Sequence, residues 1–118
     1  MMGVFDRFYS KEKLVRKTIE IDENLYEKLK EISDNEISAS VNQLINACIE
    51  GLIINENIKM YAKTKNEISI KHSLLIRESF VKGLDELKDK YDISIYKLVN
   101  MSIYNALNEY YANKDKPI

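Results

Sequence analysis

A chain of 118 residues that is 45% hydrophobic can bury a real core as one domain, which excludes a largely disordered polypeptide. One cysteine excludes an internal disulfide, and no apolar run approaches the roughly 18 residues of a membrane span. A net charge of −1 excludes an indiscriminate polyanion binder. The charge is uneven, however. Residues 1–17 hold Arg7, Lys11, Lys13, Arg16 and Lys17 against Asp6 and Glu12, a net +3, whereas residues 18–55 are net −6. Residues 56–77 return to +3 through Lys59, Lys63, Lys65, Lys71 and Arg77 against Glu56 and Glu67. Two separated basic segments are a better sign of a polyanion-facing surface than the total.

In chain order, residues 1–14 read as an N-terminal arm or short helix. MMGVFDRFYSKEK lacks the apolar core of a secretory signal, and a free cysteine suits a reducing compartment, so the expected location is the cytoplasm. Val15–Ile21 (VRKTIEI) then alternates, with Val15, Ile19 and Ile21 on one parity and Arg16, Thr18 and Glu20 on the other. Period two with β-branched residues predicts a strand. Asp22 or Asn24 can cap the helix that follows, whose apolar stripe is Leu25, Leu29 and Ile32. After the turn SDNEISAS, Ser40 and Gln43 have capping-box spacing, and Val41, Leu44, Ile45, Cys48, Ile49 and Leu52 form the face of a second helix. Gly51 either marks the end of that helix or is passed by one running on through Ile54, Ile58 and Tyr61. Residues 54–67 are accordingly a linker or a helix extension.

The cycle then restarts. Ile68, Ile70, Leu74 and Ile76 share a parity and predict a second strand; Ser79 can cap a helix with Phe80, Leu84 and Leu87. Ser94 opens a last helix through Leu98, Val99, Ser102, Ile103 and Ala106. SVNQLINACI at Ser40 and SIYKLVNMSI at Ser94 share serine, leucine, asparagine and isoleucine at matching places, and the preceding strands and helices match at nearly the same offset. This order predicts duplicated units at 15–53 and 68–110, followed by a flexible tail at 111–118. A lone strand leaves one edge and one face unpaired, so the two strands are expected to pair antiparallel beneath four helices.

KTIEIDENLYEKLKEIS followed by ISASVNQLINACI resembles the ribbon-helix-helix (Arc/MetJ-type) DNA-binding proteins, and the second half follows the same outline less faithfully. The resemblance lies in element order and spacing and implies a mainly α fold: a tandem ribbon-helix-helix pseudo-dimer with a two-stranded antiparallel β-ribbon and four main helices. It further implies sequence-specific binding of double-stranded DNA, usually as a transcriptional repressor, with the ribbon in the major groove. Carried over by position, the base-reading residues would be Arg16, Thr18 and Glu20 on one strand and Lys71, Ser73 and Leu75 on the other. The phosphate-anchoring openings would be Ser40, Val41 and Asn42, and Ser94, Ile95 and Tyr96. Glu20, among phosphates, would accept from a cytosine amino group or pair with Arg16; Leu75 would touch a thymine methyl.

Other residues suggest no chemistry. His72 has no second His or Cys at ligand spacing, its parity points inward, and the rim of the sheet is its expected place. Cys48 sits at an apolar helical position without a base nearby in sequence. No catalytic residue, metal or cofactor is expected, nor a membrane or small-molecule substrate; the chain reads as non-enzymatic. Val4, Phe5, Phe8 and Tyr9 at one end, and Tyr104, Tyr110 and Tyr111 at the other, are expected either to pack together or to form a patch for self-association or a protein partner. Three readings stay open. One is the DNA-binding regulator, with its ribbon formed within one chain or between chains. Another is a protein-interaction module of the same fold (antitoxin, co-repressor or plasmid-partition adaptor). The third is a plain helical bundle in which the two strand segments are loops or helix extensions.

Overall fold

Both period-two stretches are strands, and they pair with each other. The computed structural model describes residues 12–63 and 66–115. Its elements run β1 (Leu14–Asp22), α1 (Glu23–Asn35), α2 (Val41–Asn55), β2 (Ser69–Arg77), α3 (Glu78–Tyr91) and α4 (Ile95–Asp115). The strands form a two-stranded antiparallel ribbon within the one chain, with Leu14 opposite Arg77, Thr18 opposite Ser73 and Asp22 opposite Ser69. The helical-bundle reading, which needs these segments as loops or helix, is thereby corrected.

The alternation decides which ribbon face is covered. Ile19 and Ile21 of β1 and Leu74 and Ile76 of β2 are buried beneath the helices. The helices contribute Leu25, Leu29 and Ile32 from α1, Ile45, Cys48, Ile49 and Leu52 from α2, and Leu84 and Leu87 from α3. Leu98, Val99, Met101, Ile103 and Leu107 of α4 complete one continuous core. Each such aliphatic side chain contributes roughly 1.5–3 kcal/mol on leaving water.

The helix starts differ from the expected caps. Asp22 holds the N-cap position of α1 but makes no side-chain cap bond, and Ser79 lies inside α3, whose N-cap position is Arg77. The Asp22 carboxylate is taken up by Tyr61, Ser69 and Lys63, and the Arg77 side chain offers no acceptor, so neither covers its own first turn. The acceptors come instead from the chain entering the neighbouring strand. The Glu67 carboxylate accepts from the Asn24 N–H at 3.0 Å and the Ile68 carbonyl from the Glu23 N–H at 2.8 Å. At the other end the Glu12 carboxylate accepts from the Ser79 N–H, and the Lys13 carbonyl from the Glu78 N–H at 2.9 Å. All four residues of one set correspond to the other set at an offset of 55.

A second correspondence ties the late helices to the ribbon edges. The Asn46 amide donates to the Leu75 carbonyl at 2.8 Å and accepts from the Arg77 N–H at 3.2 Å. Asn100, 54 positions later, donates to the Glu20 carbonyl at 2.8 Å and accepts from the Asp22 N–H at 2.8 Å. Each amide thus satisfies outward backbone groups on the strand of the other half, closing an edge that would otherwise stand unpaired.

Gly51 does not end α2, which continues to Asn55 and closes at Glu56 in the left-handed region (φ 46). The described residues beyond it, as far as 63, are not helical. A Cβ at Gly51 would meet nothing within 4 Å. Gly51→Ala is therefore expected to stabilise the fold by about 1 kcal/mol through helix propensity, read as a rise of about 4 °C in melting temperature. The last helix also outruns its expected end: α4 continues through Asp115, past the expected start of the tail at residue 111. Tyr110 and Lys114 explain part of this, since both bind the Glu36 carboxylate just past the end of α1. Among the described residues, no helix is long and apolar enough to cross a membrane.

Candidate nucleic-acid interface

Residues directly opposite each other in an antiparallel pair share a face. The register sets Arg16 opposite Leu75, Thr18 opposite Ser73 and Glu20 opposite Lys71, so all six ribbon residues of the sequence reading lie together on the face away from the core. Five of them are exposed and Leu75 is half-buried. The Thr18·Ser73 pair, two hydroxyls, sits at the midpoint. Arg16 donates from Nη1 to Ser73 Oγ at 2.9 Å and so lies across this middle, rather than pairing with Glu20 as one expectation had it. Glu20 instead has the opposite charge of Lys71 across the ribbon.

The two helix openings stand at opposite ends of the ribbon and are built differently. Ser40 makes the expected capping box: its Oγ accepts from the Gln43 N–H at 3.1 Å, and Gln43 Oε1 accepts from the Ser40 N–H at 2.8 Å. Asn42 then turns its amide onto the ribbon, bonding both the N–H and the carbonyl of Leu75 at 2.9 Å. The Ser40 hydroxyl and the Asn42 amide are thus engaged internally. An anion at this end would meet the backbone N–H groups of Val41 and Asn42, which belong to a first turn without intrahelical partners.

At the other opening Lys97 stands where Gln43 does, and an ammonium cannot accept a bond. The Ser94 hydroxyl is buried with no partner among the described residues. Ile95 is half-buried, while Tyr96, in the place of Asn42, is exposed. Together with Lys17, Thr18, Glu20 and Lys71 these two residues line an open groove of about 680 Å³ beside β1.

The largest surprise at the ribbon end is Asp22, read from sequence as a cap. It is only 2% exposed. Burial opposes its ionisation, but hydrogen bonds from Tyr61 and from Ser69 (2.7 Å), with the Lys63 ammonium at 3.0 Å, hold its carboxyl below the ordinary value. Burial and the Asp22 charge push the Tyr61 hydroxyl well above its usual range, and its ring stacks on Tyr104 at 4.6 Å. The linker is strapped to the core by this set. Nothing local signalled it, because Tyr61 and Ser69 lie 39 and 47 positions from Asp22.

Of the remaining residues singled out, His72 is half-buried and stacks on Tyr26 at 3.8 Å, and burial lowers its pKa. Cys48 is buried, which pushes its thiol up to about 12 and leaves it a poor nucleophile at neutral pH. Among the described residues, no group of three or more His, Cys, Asp or Glu is placed to hold a metal ion. Tyr110 and Tyr111 meet edge to face at 5.5 Å, whereas Val4, Phe5, Phe8 and Tyr9 lie outside the described residues. An apolar groove of about 660 Å³, with Leu29, Ile37, Leu44, Ala47 and Leu107 in its walls, opens between α1, α2 and α4. No family model, curated protein or solved structure matches the chain.

Proposed function

We propose that the chain is a single-chain pseudo-dimer of two ribbon-helix-helix units that binds double-stranded DNA sequence-specifically, acting as a transcriptional repressor rather than an enzyme. The observation that carries this reading is the register: it gathers Arg16, Thr18, Glu20, Lys71, Ser73 and Leu75 on one solvent-facing side of a ribbon whose other side is core. A major groove about 12 Å wide admits a two-stranded ribbon, and its base edges suit these groups. Arg16 and Lys71 donate to guanine O6 and N7, Thr18 and Ser73 bond either partner of a base pair, and the openings of α2 and α4 offer N–H groups to phosphates.

The test is a gel shift against fragments upstream of the chain's own gene, at two salt concentrations. Sequence-preferring binding that weakens steeply with salt is expected. Arg16→Ala with Lys71→Ala is expected to lower affinity at least thirtyfold, the sum of two contacts worth about 1 kcal/mol or more each. Both side chains are exposed, so the melting temperature should hold. Binding indifferent to the double variant would sink the reading. The apolar groove between α1, α2 and α4 favours a second one, in which the same fold serves as a protein-interaction module without DNA.

A further inference from the structure

We infer that the ribbon reads a non-palindromic site in a single orientation, an inference that rests on the DNA-binding reading above. The internal correspondence at an offset of 55 maps Arg16 onto Lys71, Thr18 onto Ser73 and Glu20 onto Leu75. Two equal halves would present the same chemistry at both ends of the ribbon. The register shows how these ends differ. One carries Glu20 opposite Lys71, the other Arg16 opposite Leu75, and only the central Thr18·Ser73 pair is alike in kind.

These ends ask for different base pairs. A carboxylate in the major groove accepts only from an amino group, such as cytosine N4, and is repelled by the acceptors of guanine and thymine and by phosphates. Beside it Lys71 donates to guanine O6 or N7, so the Glu20·Lys71 end suits a step rich in G·C. At the other end Leu75 can offer only apolar contact, which a thymine methyl accepts, next to a guanine taken by Arg16. Turning the duplex end for end would set Glu20 against the wrong edges and leave Leu75 on polar ones.

The flanks break the symmetry independently. Beside Leu75 the Asn42 amide closes the edge of β2 with bonds to both backbone groups of that residue. At the equivalent place beside Glu20 stands Tyr96, exposed at the mouth of the 680 Å³ groove that Glu20 and Lys71 also line. One flank is a closed amide clasp and the other an open groove edged by a phenol, so the two phosphate tracks also meet different surfaces, a difference that positions the chain without selecting bases.

The experiment is selection from a randomised duplex library by the full chain, followed by affinity measurements on the enriched motif. The expected motif has unlike halves, and palindromes built from either half alone bind about tenfold or more weakly, the cost of one mismatched contact or more. A variant combining Arg16→Lys and Glu20→Leu gives both strands the outward set Lys, hydroxyl, Leu, and its motif is expected to become palindromic. Both substitutions are at exposed positions, and a thermal melt checks that the variant folds; if it does not, the wild-type motif decides alone. A perfect palindrome enriched by the wild type overturns this inference and leaves the DNA-binding reading standing. An unchanged asymmetric motif from the folded variant overturns it too. No enriched motif and no salt-dependent binding by the wild type overturns both.

Discussion

Asn100→Ala is expected to lower unfolding free energy by about 3 kcal/mol, whereas Asn46→Ala, its counterpart, is expected to cost about 1 kcal/mol. Asn100 is 2% exposed, and its amide serves the Asp22 N–H, the Glu20 carbonyl and the Tyr96 carbonyl. Alanine leaves these groups to a cavity that water enters poorly, and each unsatisfied buried partner costs about 1–3 kcal/mol. Asn46 is only half-buried, and the Leu75 carbonyl it serves also receives the Asn42 amide. Water and Asn42 therefore make up most of the loss. Urea unfolding midpoints of the two variants measure the contrast. Equal costs would show that neither burial nor the second amide from Asn42 sets the difference.

Asp22→Asn is expected to cost about 2 kcal/mol at pH 7 and less at pH 3. The carboxylate accepts from Tyr61 and Ser69 and faces Lys63; hydrogen bonds to a charged group are worth about 1.5–3 kcal/mol, roughly twice neutral ones. Because these partners hold the folded carboxyl below its ordinary value near 3.9, the unfolded chain takes up its proton first as pH falls. The stabilisation is therefore complete above that value and fades as pH drops through the lower, folded one. Glu12, Glu36 and Glu56 are also lowered by hydrogen bonds and steepen the acid limb of any form of the protein. The gap between wild type and Asp22→Asn isolates Asp22. Denaturation at the two pH values reads that gap, and one that stays constant between them refutes the carboxylate's role.

Much of the architecture was legible because it follows from local periodicity. Period two in VRKTIEI and in the stretch from Ile68 separated core from outer residues, and paired residues of a ribbon share a face, so the six outer positions came together as read. The stripe Leu25, Leu29 and Ile32 and the Ser40–Gln43 box are likewise local, spanning one or two helical turns. The caps of α1 and α3 were misread because the best nearby side chains, Asp22 and Ser79, are not the acceptors; Glu67 and Glu12 are, from the entry to the opposite strand. Asn42, read as facing phosphate, turns to Leu75 for the same kind of reason: its partner lies 33 positions away.

By itself the sequence determined the periodicity of each segment, the repeated order of these segments, and which residues fall on the apolar and polar sides of each, all consequences of side-chain spacing along one chain. The tertiary structure decided which residues stand opposite each other, and hence that Glu20 meets Lys71 while Arg16 meets Leu75. It also decided that the recurring asparagines close ribbon edges, that Asp22 anchors the linker and that the two flanks differ. Register and hydrogen-bond partnership depend on the relative placement of segments tens of residues apart. Packing of the whole core sets that placement, and no local pattern encodes it.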